Sequence, residues 1–315
     1  MPTKVLASRF NTLKDRIENI LGPAEETNRV AANNGYSYGY GQALGPLVDQ
    51  SSSNDLIDAL AYKQLYINVL KIRFHQVGTS AFTADPFVVG DFATNAASTD
   101  KILEAYIQGI ETLATNMEND RLTVHPSQAS IQSMGSSTSA TSWNGTLSHI
   151  FQITFTDAQA RRQFFNAGGK IRFSTSMNYT GSQAKSLDWK NMLAQVGTVD
   201  FAYSSTINST GVGQSYGGIG HDYMFSYYQT AYYNSGGGVY NPNRYTVYAM
   251  EMNDSVLQFK VEFSDPSYGV PDETVLGAVT SDIEAVVPDG TASIDGTMQT
   301  TVSVPSPTYT LVSNL

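Results

Sequence analysis

Four histidines are the residues best suited to acid–base or metal chemistry: His75, His125, His149 and His221. None has a second histidine at the helical spacing of a ligand pair, and no HExxH run occurs. His149 lies in an alternating apolar stretch and reads as a packed or edge residue; His75 follows a helical run. In His221-Asp222-Tyr223 the neighbours would point apart along an extended chain. Asp222, Glu251, Glu262 and Asp265 could supply paired carboxylates only if the fold gathered them. Asp289-Gly290 and Asp295-Gly296 read as turns before calcium ligands. There is no nucleophile elbow and no phosphate-binding loop with its Lys-Ser/Thr. The expectation is no catalytic residue, no cofactor and no metal.

The 315 residues can bury a full core without metals or disulfides. Only 15 % of them are charged, and Tyr, Ser, Thr, Asn and Gly fill the surface instead. The net charge of −10 argues against a nucleic-acid groove, which needs clustered Lys and Arg. No cysteine is present, so thiol chemistry is excluded. The first residues lack the continuous apolar core of a secretory leader, and no stretch approaches the ~20 apolar residues of a membrane span.

Residues 1–120 read as a helical assembly region of about three helices. Phe10, Leu13, Ile17, Ile20 and Leu21 share one helical face, closed by Gly22-Pro23. Ser53 opens a second helix that stops at Gly78, and Thr99 caps a third carrying Ile107, Ile110, Leu113 and Met117. Between the first two lies a Tyr/Gly segment, Asn33 to Gln42. Residues 121–145 are polar and Ser-rich and read as a junction.

From 146 to 287 the period changes to that of strands. Candidates are Leu147–Phe155, Lys170–Met177, Thr198–Ser204, Tyr245–Met252 and Leu257–Phe263, with weaker ones at Val275–Val279, Asp282–Val287 and Thr300–Val304. Residues 288–315 read as an extended C-terminal tail. The fold class expected is α+β: N-terminal helices, then an antiparallel β-sandwich with short inserted helices.

Phe155 to Met177 is the most specific unit. It reads as strand, short helix, Gly-Gly turn, strand. Phe164 and Phe165 would lay the helix across the end of a sheet, and Asn166 with Gly168-Gly169 would stop it. The FFNAGGKIRFS run, with Arg172, resembles a module of virion structural proteins of tailed bacteriophages, above all myophages of cyanobacteria. The Trp189 helix (Leu187 to Leu193), the Gly197-Thr198-Val199-Asp200-Phe201 strand and the Ser142-Trp143-Asn144-Gly145 lead-in extend the resemblance. So does Gly39-Tyr40-Gly41-Gln42 after an NxLxxRIxxILG helix. It implies a non-enzymatic component of the neck, baseplate or tail fibre, located in the virion and made in the host cytoplasm. Its partners would be further copies of itself and other virion proteins. The last third of the chain departs from the pattern.

Residues 211–244 are dense in Tyr and Gly. A solvated hairpin and a ring-lined contact surface are both open. On the second reading Tyr216, Tyr223, Phe225, Tyr227, Tyr228, Tyr232, Tyr233 and Tyr240 meet a virion protein or a host glycan. A receptor- or carbohydrate-binding module is the alternative to a purely structural role, and a glycan-cleaving tail enzyme is a third. Deleting Ser215 to Gly238 is expected to leave the sandwich folded.

Overall fold

The computed structural model describes residues 7–22, 39–42, 59–78, 104–139, 142–221, 223–266, 274–293 and 299–314. The expected helix starts at Ser53 and Thr99 and the Asn33–Tyr38 part of the Tyr/Gly segment lie outside them. By contact the chain forms two compact units. One comprises Met1–Ser130, Arg162–Gly168 and Pro288–Val304; the other comprises Ile131–Arg161, Gly169–Val287 and Pro305–Leu315.

In the first unit three helices pack on one another: α1 (Ala7–Leu21), α2 (Ala59–Val77) and α3 (Glu104–Asn119). The apolar stripes read from the sequence are the packed faces, with Phe10, Ile17, Leu65, Val69, Ile107 and Ile110 almost wholly buried. Arg9 pairs with Glu111 at 2.6 Å and Arg16 with Glu118 at 2.7 Å. The two arginines and the two glutamates are each seven residues apart, so α1 and α3 run parallel in a fixed register.

The GYGQ step is clamped to the end of α1. Tyr40 N–H donates to Ile20 O (2.7 Å), Gly41 N–H to Gly22 O (3.1 Å) and Gln42 N–H to Leu21 O (2.7 Å). The Gln42 amide then imitates a strand. Its Nε2 donates to Ser303 O (2.7 Å) and its Oε1 accepts from Ser303 N–H (3.3 Å), on strand β13 (Gln299–Ser303).

The second unit is a sandwich. The remaining elements of the chain, of which the start of β1 and the ends of α4 and β12 fall in the first unit, are β1 (Ala129–Thr138), β2 (Ser142–Trp143), β3 (Gly145–Thr154), α4 (Ala158–Asn166), β4 (Lys170–Asn178), α5 (Ala184–Val196), β5 (Thr198–Phe201), β6 (Thr206–Asn208), β7 (Gln214–Ser215), β8 (Gln229–Ser235), β9 (Arg244–Asn253), β10 (Val256–Asp265), β11 (Val275–Leu276), β12 (Ala278–Ser293) and β14 (Thr308–Asn314). One sheet has the order β1-β12-β4-β5-β6, with β13 paired to the far end of β12. The other has the order β14-β3-β10-β9-β8-β7. A short β11–β2 pair stands beside them.

The sheets face each other in the same order. His149 of β3 meets Ser281 of β12, Thr175 of β4 meets Tyr245 of β9, and Thr206 of β6 donates to Tyr216 O beside β7. Aromatic rings fill the space between. Phe173 touches Phe151, Phe201 and Phe259 at 5.5, 5.9 and 5.2 Å between centroids, and Trp189 touches Trp143 at 5.0 Å. Alternation in β3, β4 and β10 places one residue in two inward, as their sequences require.

Three expectations change. The polar junction holds β1, ten residues long, whose Ser-rich sequence lacks the apolar alternation that marks a strand. The weak strands near 278–287 are one continuous strand, β12, and it carries on through Asp289-Gly290, which pair with Ser303 and Val302 instead of turning. The supposed tail therefore supplies the end of β12 together with β13 and β14.

Candidate contact surface

The FFNAGG unit is a packing device, and its Arg162–Gly168 part groups by contact with the helical unit. Phe164 and Phe165 are fully buried, edge to face at 5.1 Å, and belong by contact with the helices. Three contacts explain this. The Ala167 carbonyl accepts from His75 Nε2 of α2 (2.9 Å), which fixes the proton on that nitrogen. Asn166 Nδ2 reaches Gly39 O (3.5 Å). Gly168, at φ +89°, lies so close to the chain at 122–124 that a Cβ would stand 2.9 Å from Leu122 O and Val124 N. Gly169 has no positive φ. Arg172 forks onto Asp200 at 2.6 and 3.0 Å across β4 and β5.

Trp189 sits in a buried polar string. With the Asn243 amide oriented as its neighbours require, it accepts from the indole Nε1 (3.1 Å) and donates to Asp265 Oδ1 (2.8 Å), while Lys185 Nζ lies 2.9 Å from Asp265 Oδ2. The ion pair is thus enclosed with a neutral amide spanning one end.

The acids that could have formed a catalytic pair are held by cations. Glu251 is bound by Arg161 (2.7 Å), Glu262 by Lys260 (2.8 Å) and Asp265 by Lys185. Asp222 and Asp295 lie outside the described residues. His75 and His149 are buried and burial pushes both down to about 4. His125 caps the 3-10 turn Pro126–Gln128 by accepting from Ser127 N–H (3.2 Å). Among the described residues, no three or more His, Asp or Glu side chains gather as a metal-binding set. Among them, too, no helix is long and apolar enough to cross a membrane.

The Tyr/Gly segment has an ordered frame. Tyr216 N–H donates to Ala231 O (2.9 Å), Ile219 N–H to Ala202 O (2.9 Å), Gly220 N–H to Tyr203 O (2.8 Å) and Glu251 N–H to Phe225 O (2.9 Å). β7 and β8 complete the second sheet. Its eight named rings separate into three groups. Tyr232 is core: fully buried, its hydroxyl donates to Val212 O (2.7 Å), and burial pushes its pKa up to about 12. Tyr228, Tyr233 and Tyr240 are half-buried. Tyr228 donates to Gln258 Oε1 (2.7 Å) on the outer sheet face, where Lys260 Nζ lies 5.3 Å from its ring and 4.4 Å from that of Tyr248.

The third group is exposed. Tyr216 is 48 %, Tyr223 44 %, Phe225 52 % and Tyr227 62 % accessible. Phe225 and Tyr227 stack at 5.6 Å and 25°, beside the end of β9 where Met252 is also exposed. Tyr216 stacks on Tyr233 at 6.0 Å and 23°, and the Arg244 guanidinium covers Tyr233 at 4.6 Å. Composition marked the region but not the sorting of its rings; the only local signal for the core ring was the β-prone run Thr230 to Tyr233. Because β8 is a sheet strand, deleting Ser215 to Gly238 would remove part of the sandwich, contrary to expectation. No protein-family model matches the chain, and neither the curated proteins nor the solved structures give a match.

Proposed function

We propose that the chain is a non-enzymatic structural component of a tailed-phage virion, acting through contacts with copies of itself and with other virion proteins. The observation that carries this reading is the set of four large rings, Tyr216, Tyr223, Phe225 and Tyr227, held open to solvent on a hydrogen-bonded frame. Rigid aromatic area of this kind is costly to leave in water and favourable against a neighbour. The resemblance of the FFNAGG unit supplies the virion. Mass spectrometry of gradient-purified particles tests it: the chain should be present at a stoichiometric copy number, and particles lacking it would end the proposal.

A second reading is a receptor- or carbohydrate-binding tail module. The parallel Tyr216–Tyr233 stack favours it, because a flat exposed ring face suits a sugar ring. Glycan-array binding that is lost in Tyr216→Ala would support this reading over the first.

A further inference from the structure

The two lateral edges of the sandwich are finished differently. One ends in β6 and β7, of three and two residues. The other ends in β1 and β14, of ten and seven residues, and Tyr309 of β14 lies directly on Gly135 of β1. Both long edge strands are free of charge and of proline, the two usual protections against pairing with another chain. β14 is interrupted by a bulge between Leu311 and Ser313. β1 meets β12 on one side, and no strand of the described residues lies on its other side. Exposed apolar side chains mark the same edge: Ile131 at 59 %, Leu311 at 39 % and Val312 at 50 %.

We propose, building on the self-association in the functional reading above, that the outer side of β1 from Ile131 to Ser136 pairs antiparallel with the same strand of a second copy. The occupant is a second copy on grounds of charge and of size. The chain carries 28 acidic against 18 basic residues, so two copies repel wherever carboxylates are presented. A cationic partner would seek those carboxylates; a strand with no charge at all suits its own neutral twin. A two-fold axis makes this pairing self-complementary and closed. With sheets about 10 Å apart and strands of this length, the double edge measures roughly 30 by 20 Å. Two copies would therefore hide on the order of 1,000 Å², the lower limit of a specific interface.

The test introduces the missing protection. Ile131→Lys with Ser133→Lys places charges at two exposed positions of β1. Mass photometry of the wild-type chain should show dimers or larger even-numbered species at micromolar concentration, and the double variant should lose at least tenfold in association while its melting curve stays the same. Because the chain has no cysteine, single Cys substitutions at 131, 133, 136 and 138 report separately. Oxidation should cross-link copies at the position nearest the two-fold axis. An associated wild type with an equally associated double variant overturns the β1 pairing and leaves self-association standing. A monomeric wild type overturns both. A β1 edge found protected from hydrogen exchange in the monomer overturns the β1 pairing alone, because the chain would then cover that edge itself.

Discussion

Arg161 and Glu251 form an ion pair at 2.7 Å in which the guanidinium is only 1 % accessible, on the last unit-two residue of α4. The same guanidinium donates to Asp254 O (3.2 Å) and Ile219 O (3.4 Å), so one side chain ties the β9–β10 turn to the Tyr/Gly segment. Replacing it by Met leaves Glu251 without its cation and two carbonyls without a donor. Arg161→Met should lower stability by about 3 to 5 kcal/mol. Arg161→Lys, which keeps the charge but loses the fork, should fall between. Urea unfolding of the three proteins decides; equal midpoints would mean that the pair contributes nothing.

Phe164→Ala and Phe165→Ala should each cost about 3 to 5 kcal/mol, since both rings are wholly buried and leave a cavity. The loss should appear first in the helical unit, with which they are packed, and hydrogen exchange of α2 should show it. Exchange that rises only in the sheets would place the rings where the sequence alone suggested.

Gly168→Ala should destabilise by at least 1 to 3 kcal/mol, because φ +89° strains an L-residue and the new Cβ meets the backbone at 122–124. The same test separates the two glycines of the turn: Gly169 carries no left-handed strain. A Gly168→Ala protein that melts with the parent would remove the turn geometry from the argument.

His75 and His149 give a pH dependence of known sign. Both are held near 4 in the folded chain against 6.5 in an ordinary environment. Their neutral forms are what the core accepts, His75 donating to Ala167 O and His149 facing Ser281 Oγ at 2.9 Å. Their effect is nil above 6.5. As pH falls below it the unfolded chain takes up protons that the folded chain refuses, and stability is lost down to about pH 4. The slope should be on the order of 1 kcal/mol per pH unit for each histidine. His149→Gln should flatten it by half; an unchanged slope would mean that His149 protonates without unfolding.

The sequence made α1, α3, β3, β4 and β10 legible because their burial is one-sided and periodic: Phe10 to Leu21 on one helix face, Leu257 to Phe263 on one strand face. It hid β1 and β14, which earn their place by backbone pairing at an edge and carry Ser, Thr and Gly instead of an apolar alternation. It also hid the allegiance of Phe164 and Phe165. A helix can be read locally, but which neighbour it packs against is decided by contacts such as His75 to Ala167, 92 residues apart. The candidate contact surface was visible as ring density. Which rings turn inward depends on strand register, as Tyr232 opposite Val247 shows.

Phe225→Ser with Tyr227→Ser is the cleanest probe of that surface. Both rings are more than half accessible and stacked on each other, so the fold has little to lose. Stability should change by no more than about 0.5 kcal/mol. A partner that buries these rings would lose the two largest apolar contacts of the patch, beside Met252, and each such anchor is worth on the order of 2 kcal/mol or more. On the proposed virion role, incorporation into particles, or binding to a purified neighbouring virion protein, should therefore fall by a hundredfold or more while the free chain melts as before. Unchanged incorporation would show that the rings face solvent in the particle. A large loss of stability would show instead that they belong to the fold.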